Sequence, residues 1–288
     1  MMNLIKQGRA ALSMLNPDEV RKRAGQEVHI GLVAPDAAAY SEMEAALLPR
    51  DMDRGVRPEL LELVHRAGEP NAPERVDVVL YHHSVARDEG TFALDPRNPD
   101  ALVSELMRHK EEFALPMARQ FPGLRRAVVD RIVKAVAREN ALFAVATALP
   151  NVMPNLIELP WAVGEFASDT IFLTANQVRM AFLIAGACGK EIGFTHQKAE
   201  LGGIVAAAFG WRTLARELAG KVPLGGGLIP KGAIAYAGTI AVGKGLEYYH
   251  HANIHMTPDQ GEQVYRQALE EGRGVTESFR GTSPENPA

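Results

Sequence analysis

The chain has 288 residues, 47% of them hydrophobic and 23% charged, a composition that excludes a disordered chain and leaves room for two cores. A net charge of −4 gives no overall basic field, which speaks against nucleic acid as a partner. The single cysteine, Cys188, excludes an internal disulfide; flanked by Ile184, Ala185 and Ala187, it reads as a buried structural thiol.

In chain order, Leu4, Ile5, Leu12 and Leu15 fall near helical spacing and predict a short amphipathic helix. Asn16-Pro17 then opens another, as N-cap and first helical residue, to about Arg23. Such helices dock on the domain behind them or lie on a membrane surface, and both readings stay open. The stretch has no long apolar run and no small-residue cleavage site, so no signal peptide is expected. Val28–Val33 predicts a strand, Ala37–Leu48 a helix, and Pro58–Ala67 a second helix with Leu60, Leu61 and Val64 on one side. Val76–Tyr81 is a second strand, apolar enough to be buried on both faces. A loop over Asp88–Pro99 and a helix near Asp100–His109 follow. Strands separated by helices favour a parallel α/β arrangement, here small or truncated because only two strands are clear.

From Leu124 onward the pattern is helical, with helices expected over Leu124–Ala148, Ser168–Gly189, Lys198–Leu218 and Lys231–Ala252. Pro150, Pro154 and Pro160 break one connection and the run from Pro223 to Pro230 breaks another. Thr257-Pro258 opens a final polar helix to about Glu271, and the end of the chain reads as disordered. The expected class is therefore α+β: amphipathic helices over 1–26, an α/β segment over 27–118, an apolar helical domain over 119–256, a polar helix over 257–272 and a tail over 273–288.

The segment after the first strand, Ala34 to Glu44, stands where a phosphate-binding loop would sit. Such a loop needs glycines for backbone approach, a lysine for the terminal phosphates and a Ser or Thr for magnesium. After Gly31 there is no glycine and no lysine here, so nucleotide hydrolysis is not expected. Gly225-Gly226-Gly227 precedes a helix, but Leu224, Leu228 and Ile229 flank it and no strand leads in, so a tight turn is the plainer account. No Gly-x-Ser-x-Gly elbow offers a hydrolase nucleophile. His250, His251 and His255 cluster at a helix end, with Glu247 one turn before His251; they are weak metal candidates, because imidazoles there also suit the helix dipole. His82-His83 is weaker still. No enzyme activity and no cofactor are expected from these residues.

Asn140, Asp169, Asn176, Gln177, Arg212, Arg216 and Glu217 interrupt otherwise apolar helices. Arg212 and Arg216 lie one turn apart, and Asp169 or Glu217 would supply their counter-charge. One reading is a polar network that fixes helix register; the other is an anion site for a lipid headgroup or phosphate. A spanning helix needs about 20 mostly apolar residues. The stretch Asn140–Ile157 is uncharged but holds Pro150 and Pro154, and Thr170–Gly189 is long enough but carries Arg179. With a mean hydropathy of −0.10, a soluble or peripheral bundle is preferred, and insertion stays open.

The stretches DTIFLTANQVRMAFLIAGACG, WRTLAREL and IPKGAIAYAGTIAVGKGLEYY together resemble the helical domain of unknown function fused behind Era-like bacterial GTPases and found in inner-membrane proteins. The resemblance covers Phe121 to Tyr249 and carries over Asp169, Thr174, Asn176, Gln177, Arg212, Thr213, Arg216, Glu217, Lys231 and Tyr236. It implies association with GTPase-type regulation or with membranes, and no catalysis. In its light VHIGLVAP and VDVVLYHHSV look like core strands of a GTPase-like fold, one that lacks the lysine loop and any Asn/Thr-Lys-x-Asp motif. The expectation is a non-catalytic module on the cytoplasmic face of a bacterial membrane or in the cytoplasm. It would meet a membrane or protein partner, with self-association a further expectation. The alternative is a pseudo-GTPase switch that still responds to nucleotide, followed by a metal-dependent enzyme.

Overall fold

The structure, a computed structural model, describes residues 16–53, 55–70, 73–147, 169–204 and 228–279. It is α+β, with a small parallel sheet in the N-terminal part and helices beyond it. The described residues fall into two compact units: Asp18–Arg131 with Ala185–Ile192, and Ile132–Ile184 with Pro17 and the residues from Gly193 onward.

In the first unit α1 (Pro17–Ala24) leads to β1 (Ile30–Val33), α2 (Ala37–Leu47) and α3 (Arg57–Leu61). Strands β2 (Val64–Arg66), β3 (Val78–His82) and β4 (Phe92–Leu94) follow, then α4 (Pro99–His109) and α5 (Glu111–Gln120). The sheet order is β2-β1-β3-β4 and every pair is parallel. Alternation decides its two faces. Ile30, Leu32, Val64, Val78, Leu80, Phe92 and Leu94 are buried, while Gly31, Val79, Tyr81 and Ala93 between them are half-buried.

Four strands replace the two expected, for a physical reason. Val64-His65-Arg66 carries the end of a helix-like leucine pattern, yet α3 stops at Leu61 and these residues pair with Ile30-Gly31-Leu32. Backbone pairing offered by the edge of β1 outweighs the weak propensity of one more helical turn. The three residues of β4, inside the expected loop, are fixed the same way by β3. Helix α5 corresponds to no expected element; Pro116 inside it costs a backbone hydrogen bond, but its flank from Ala114 to Ala118 is buried.

Helix α6 (Pro122–Ala146) follows, then α7 (Asp169–Ala187), α8 (Leu228–Ala252) and α9 (Pro258–Ser278). Within the helical unit Phe143 and Phe172 stack at 3.7 Å, and helices approach closely where side chains are small. A Cβ on Gly243 would stand 2.5 Å from Cγ1 of Val133, and one on Gly272 would stand 3.0 Å from the Ala233 carbonyl oxygen. Asn253 takes the left-handed conformation (φ 52°) after α8, a position asparagine tolerates. Thr257 and Gln260 then form a reciprocal capping box that starts α9. That helix runs to Ser278, past the expected end near Glu271. No helix among the described residues is long and apolar enough to cross a membrane.

In the first unit, Cys188 is buried as expected and follows the end of α7. There the Arg125 Nε donates to the Ala187 carbonyl at 2.9 Å, and burial holds that guanidinium below the usual arginine value.

Candidate functional site

Three places carry the polar residues that the sequence singles out. The first is the sheet end at the carboxyl termini of β1 and β3. From β1 the chain goes to β2 on one side and returns to β3 on the other, and open α/β sheets hold ligands where the order reverses in this way. Helix α2 starts beside it, and a phosphate there would sit on the free amides of its first turn. That position is taken. The Asp36 carboxylate accepts the Ala39 amide at 2.8 Å and caps the helix with the chain's own negative charge.

Facing it, His82 ends β3 and is buried. Its Nδ1 lies 2.7 Å from the Ser84 hydroxyl oxygen and also accepts the Ser84 amide at 3.4 Å, which leaves the ring hydrogen on Nε2. Nε2 has no hydrogen-bond partner and stands 4.0 Å from the exposed Glu42 carboxylate. A serine beside a buried base is the first half of a nucleophile. The acid that would orient the base is out of hydrogen-bond reach, so the contact serves to fix the turn after β3. No sequence motif surrounds Ser84, so nothing in the sequence singles it out.

A groove of about 690 Å³ in the same unit is lined by Arg87, Gly90, Phe92, Glu105, His109 and Lys110. Two of its cations are already engaged. Arg87 grips both Glu105 oxygens at 2.6 and 3.0 Å, and the Lys110 Nζ donates to the Asp77 carbonyl at 2.8 Å.

The second place is inside the helical unit. Asn140 on α6, Asn176 and Gln177 on α7 and Thr239 on α8 are all buried. Asn176 donates to the Asn140 side-chain oxygen at 2.9 Å and to Glu139 at 3.0 Å, and Asn140 donates to the Thr239 hydroxyl at 2.8 Å. Gln177 reaches the same hydroxyl at 3.4 Å, and Thr239 passes its own hydrogen back to the Ala235 carbonyl at 2.8 Å. At the half-buried end, Arg179 donates to Asn176 at 3.0 Å and to Glu139 at 2.5 Å. Three helices thus share one chain of hydrogen bonds, which one register of the three satisfies.

Of the expected set, the structure brings Asn140, Asn176 and Gln177 together. Asp169 is the first residue of α7, while Arg212, Arg216 and Glu217, with Thr213, lie outside the described residues. Lys231 and Tyr236 stand on α8, where Lys231 donates to Thr147 at 3.1 Å and Tyr236 to Glu271 at 2.8 Å; Thr174 is half-buried on α7. Glu139, Arg179 and Thr239 complete the network. Their only sequence signal is a charge or hydroxyl inside an apolar helix.

The third place is the end of α8. His250 is buried 3.9 Å from Glu200, the His251 Nδ1 donates to the Glu247 carbonyl at 3.2 Å, and His255 stacks on Tyr249 at 5.2 Å. Tyr249 packs against both His250 and His255, while His251 turns back to the backbone of its own helix. Among the described residues no three side chains converge in a way that could hold a metal ion.

Compared with family models, curated proteins and solved structures, the chain matches none.

Proposed function

We propose that this chain is a non-catalytic interaction module whose α/β part has a GTPase-like form without nucleotide competence. The observation that carries the reading is the Asp36 cap. A carboxylate at the first turn of α2 supplies the negative charge that a phosphate would bring, and a second anion there would be repelled. The missing lysine and glycines point the same way. The helical unit is the docking part, meeting a membrane surface or a protein partner at the cytoplasmic face of a bacterial membrane. Near the end of α8 Tyr248 is 47% exposed, and just past the helix Ile254 is 58% exposed, apolar area that a partner would cover.

Two measurements test this. Titration calorimetry with GTP, GDP and ATP at about millimolar concentration is expected to give no heat of binding, because the first turn of α2 is already capped. Saturable heat would overturn the reading in favour of a nucleotide-responsive switch. Fractionation of the expressed full chain is expected to place it with membranes and to release it by carbonate wash, as a peripheral protein. Release by detergent alone would establish insertion. A protein that stays soluble, monomeric and indifferent to vesicles would remove the membrane partner.

A further inference from the structure

Strand β2 is the weakest part of the sheet. It has three residues, pairs with β1 alone, and buries one side chain, that of Val64. The backbone bonds at its two ends run from the Ile30 amide to the Leu63 carbonyl and from the Ala67 amide to the Leu32 carbonyl, each 2.8 Å. Local opening starts at such elements, where few apolar contacts would be lost.

One side-chain contact also holds this edge. The residue before β1 is His29 and the middle of β2 is His65. The His29 Nδ1 lies 3.0 Å from the His65 Nε2, with the ring planes 16° apart. Two nitrogens at this distance need one hydrogen and one lone pair between them. Two neutral imidazoles satisfy that condition, and so do one neutral and one charged. Two charged rings present hydrogen to hydrogen and repel.

We propose that the His29–His65 contact is a proton-operated latch that holds β2 on β1 at neutral pH and releases it when the pair takes up its second proton. The rest of the sheet stays paired, because β1, β3 and β4 share a continuous buried face. The surrounding charges set the pH at which this happens. Glu69, in the turn after β2, favours a charged His65. Burial first and His29 second oppose it, so the His65 pKa lies below the usual histidine value. Asp77 accepts the His29 backbone amide at 2.8 Å, and Lys110 holds the Asp77 carbonyl. Arg66 is paired with Glu44 at 2.7 Å, and α3 behind the strand carries Arg57 and Glu59. A lowered histidine pKa means that the folded state resists the proton. The stability contributed by the neutral pair is full above the usual value of about 6.5 and is lost as pH falls through the lowered one.

Amide hydrogen exchange on the full chain, corrected for intrinsic rates and compared at pH ~7.5 and ~5, reads the latch directly. Protection at Ile30 and Ala67 is expected to fall by about tenfold or more at the acid pH, with β3 and β4 unchanged. His65→Gln keeps a hydrogen-bonding side chain without the titration, and the acid step should vanish; His29→Gln should do the same if the first variant folds poorly. A pH-independent wild type would overturn the proposal, and so would an acid step that survives in both variants. Independent single-site titration of the two imidazoles by NMR in the wild type would overturn it as well.

Discussion

The two units place their polar groups in opposite ways. The helical unit encloses neutral amides and a hydroxyl (Asn140, Asn176, Gln177 and Thr239) and sets Arg179 and Glu139 at the edge of that network. In the α/β unit the sheet core is apolar apart from His82 at the end of β3, and ions and other imidazoles stand around it: Arg66 with Glu44, Arg87 with Glu105, His29 with His65. Neutral groups cost less to enclose than charges and still demand partners once enclosed. Helices with apolar residues on every side, such as α8, have no amphipathic stripe to set their rotation. A buried hydrogen-bond chain supplies what that pattern leaves open. The sheet needs no such device, because a one-residue slip would turn its buried face to solvent.

The most damaging single change should therefore be in the helical unit. Asn176→Ala leaves the buried Asn140 oxygen without its donor and removes a partner from both Glu139 and Arg179. A loss of about 3 kcal/mol is expected, read as a shift of the urea midpoint at constant slope. Replacing Asn140 and Asn176 together by Leu should cost less than that single change, since no orphan is left between them. If the double variant is as stable as wild type but shows broadened spectra of α6, α7 and α8, the network sets register more than stability. A single variant that unfolds at the wild-type midpoint would break the contrast.

How far the sequence foretells each unit follows from the same difference. Strand β3 is legible because five consecutive residues, Val78 to His82, carry its pattern. Strands β2 and β4 are not, because three residues each cannot state a period and their conformation comes from pairing with β1 and β3. In the helical unit the elements are legible while their contacts are not. Asn140 and Asn176 stand out as polar interruptions, but that Asn140 meets Thr239, 99 residues away, is a property of how three helices pack. The imidazole pair is illegible for a like reason: 36 residues separate His29 from His65. The absence of a phosphate loop is plain from the residues themselves, whereas the Asp36 cap that fills its place depends on where the helix starts.

The units should also part company with pH, at opposite ends of the scale. While the α/β unit is sensitive to acid through His65, the helical unit holds Tyr265 on α9, fully buried, with its phenol pushed up to about 12 by burial. A raised phenol pKa means that the unfolded chain ionises first. The stability this group contributes is intact below about pH 10 and is lost as pH rises through about 12. The full effect is at most about 2 to 3 kcal/mol, since each tenfold change in proton affinity corresponds to about 1.4 kcal/mol. Alkaline unfolding followed at α6 to α9 should steepen over that range in the wild type and flatten in Tyr265→Phe. If Tyr265→Phe leaves the alkaline limb unchanged, the limb belongs to other groups, and the asymmetry between the units is confined to acid.

The smallest effect should come from the ion pair with the best geometry in the α/β unit. Arg87 meets both oxygens of Glu105, and the Arg87 hydrogen bond holds the Glu105 carboxyl below its usual range. Geometry alone would suggest a strong contribution. Both side chains are partly open to water, however, so the Coulomb gain is screened and the entropy of fixing two long side chains opposes it. Arg87→Ala should therefore leave the urea midpoint of the α/β unit where it was, while NMR titration shows the Glu105 carboxyl moving up toward its ordinary value. The two readouts separate a pair that exists from a pair that stabilises. A midpoint that falls as far as that of Asn176→Ala would mean that the rim of the sheet is as demanding as the interior of the bundle, and the contrast between the units would fail at its strongest point.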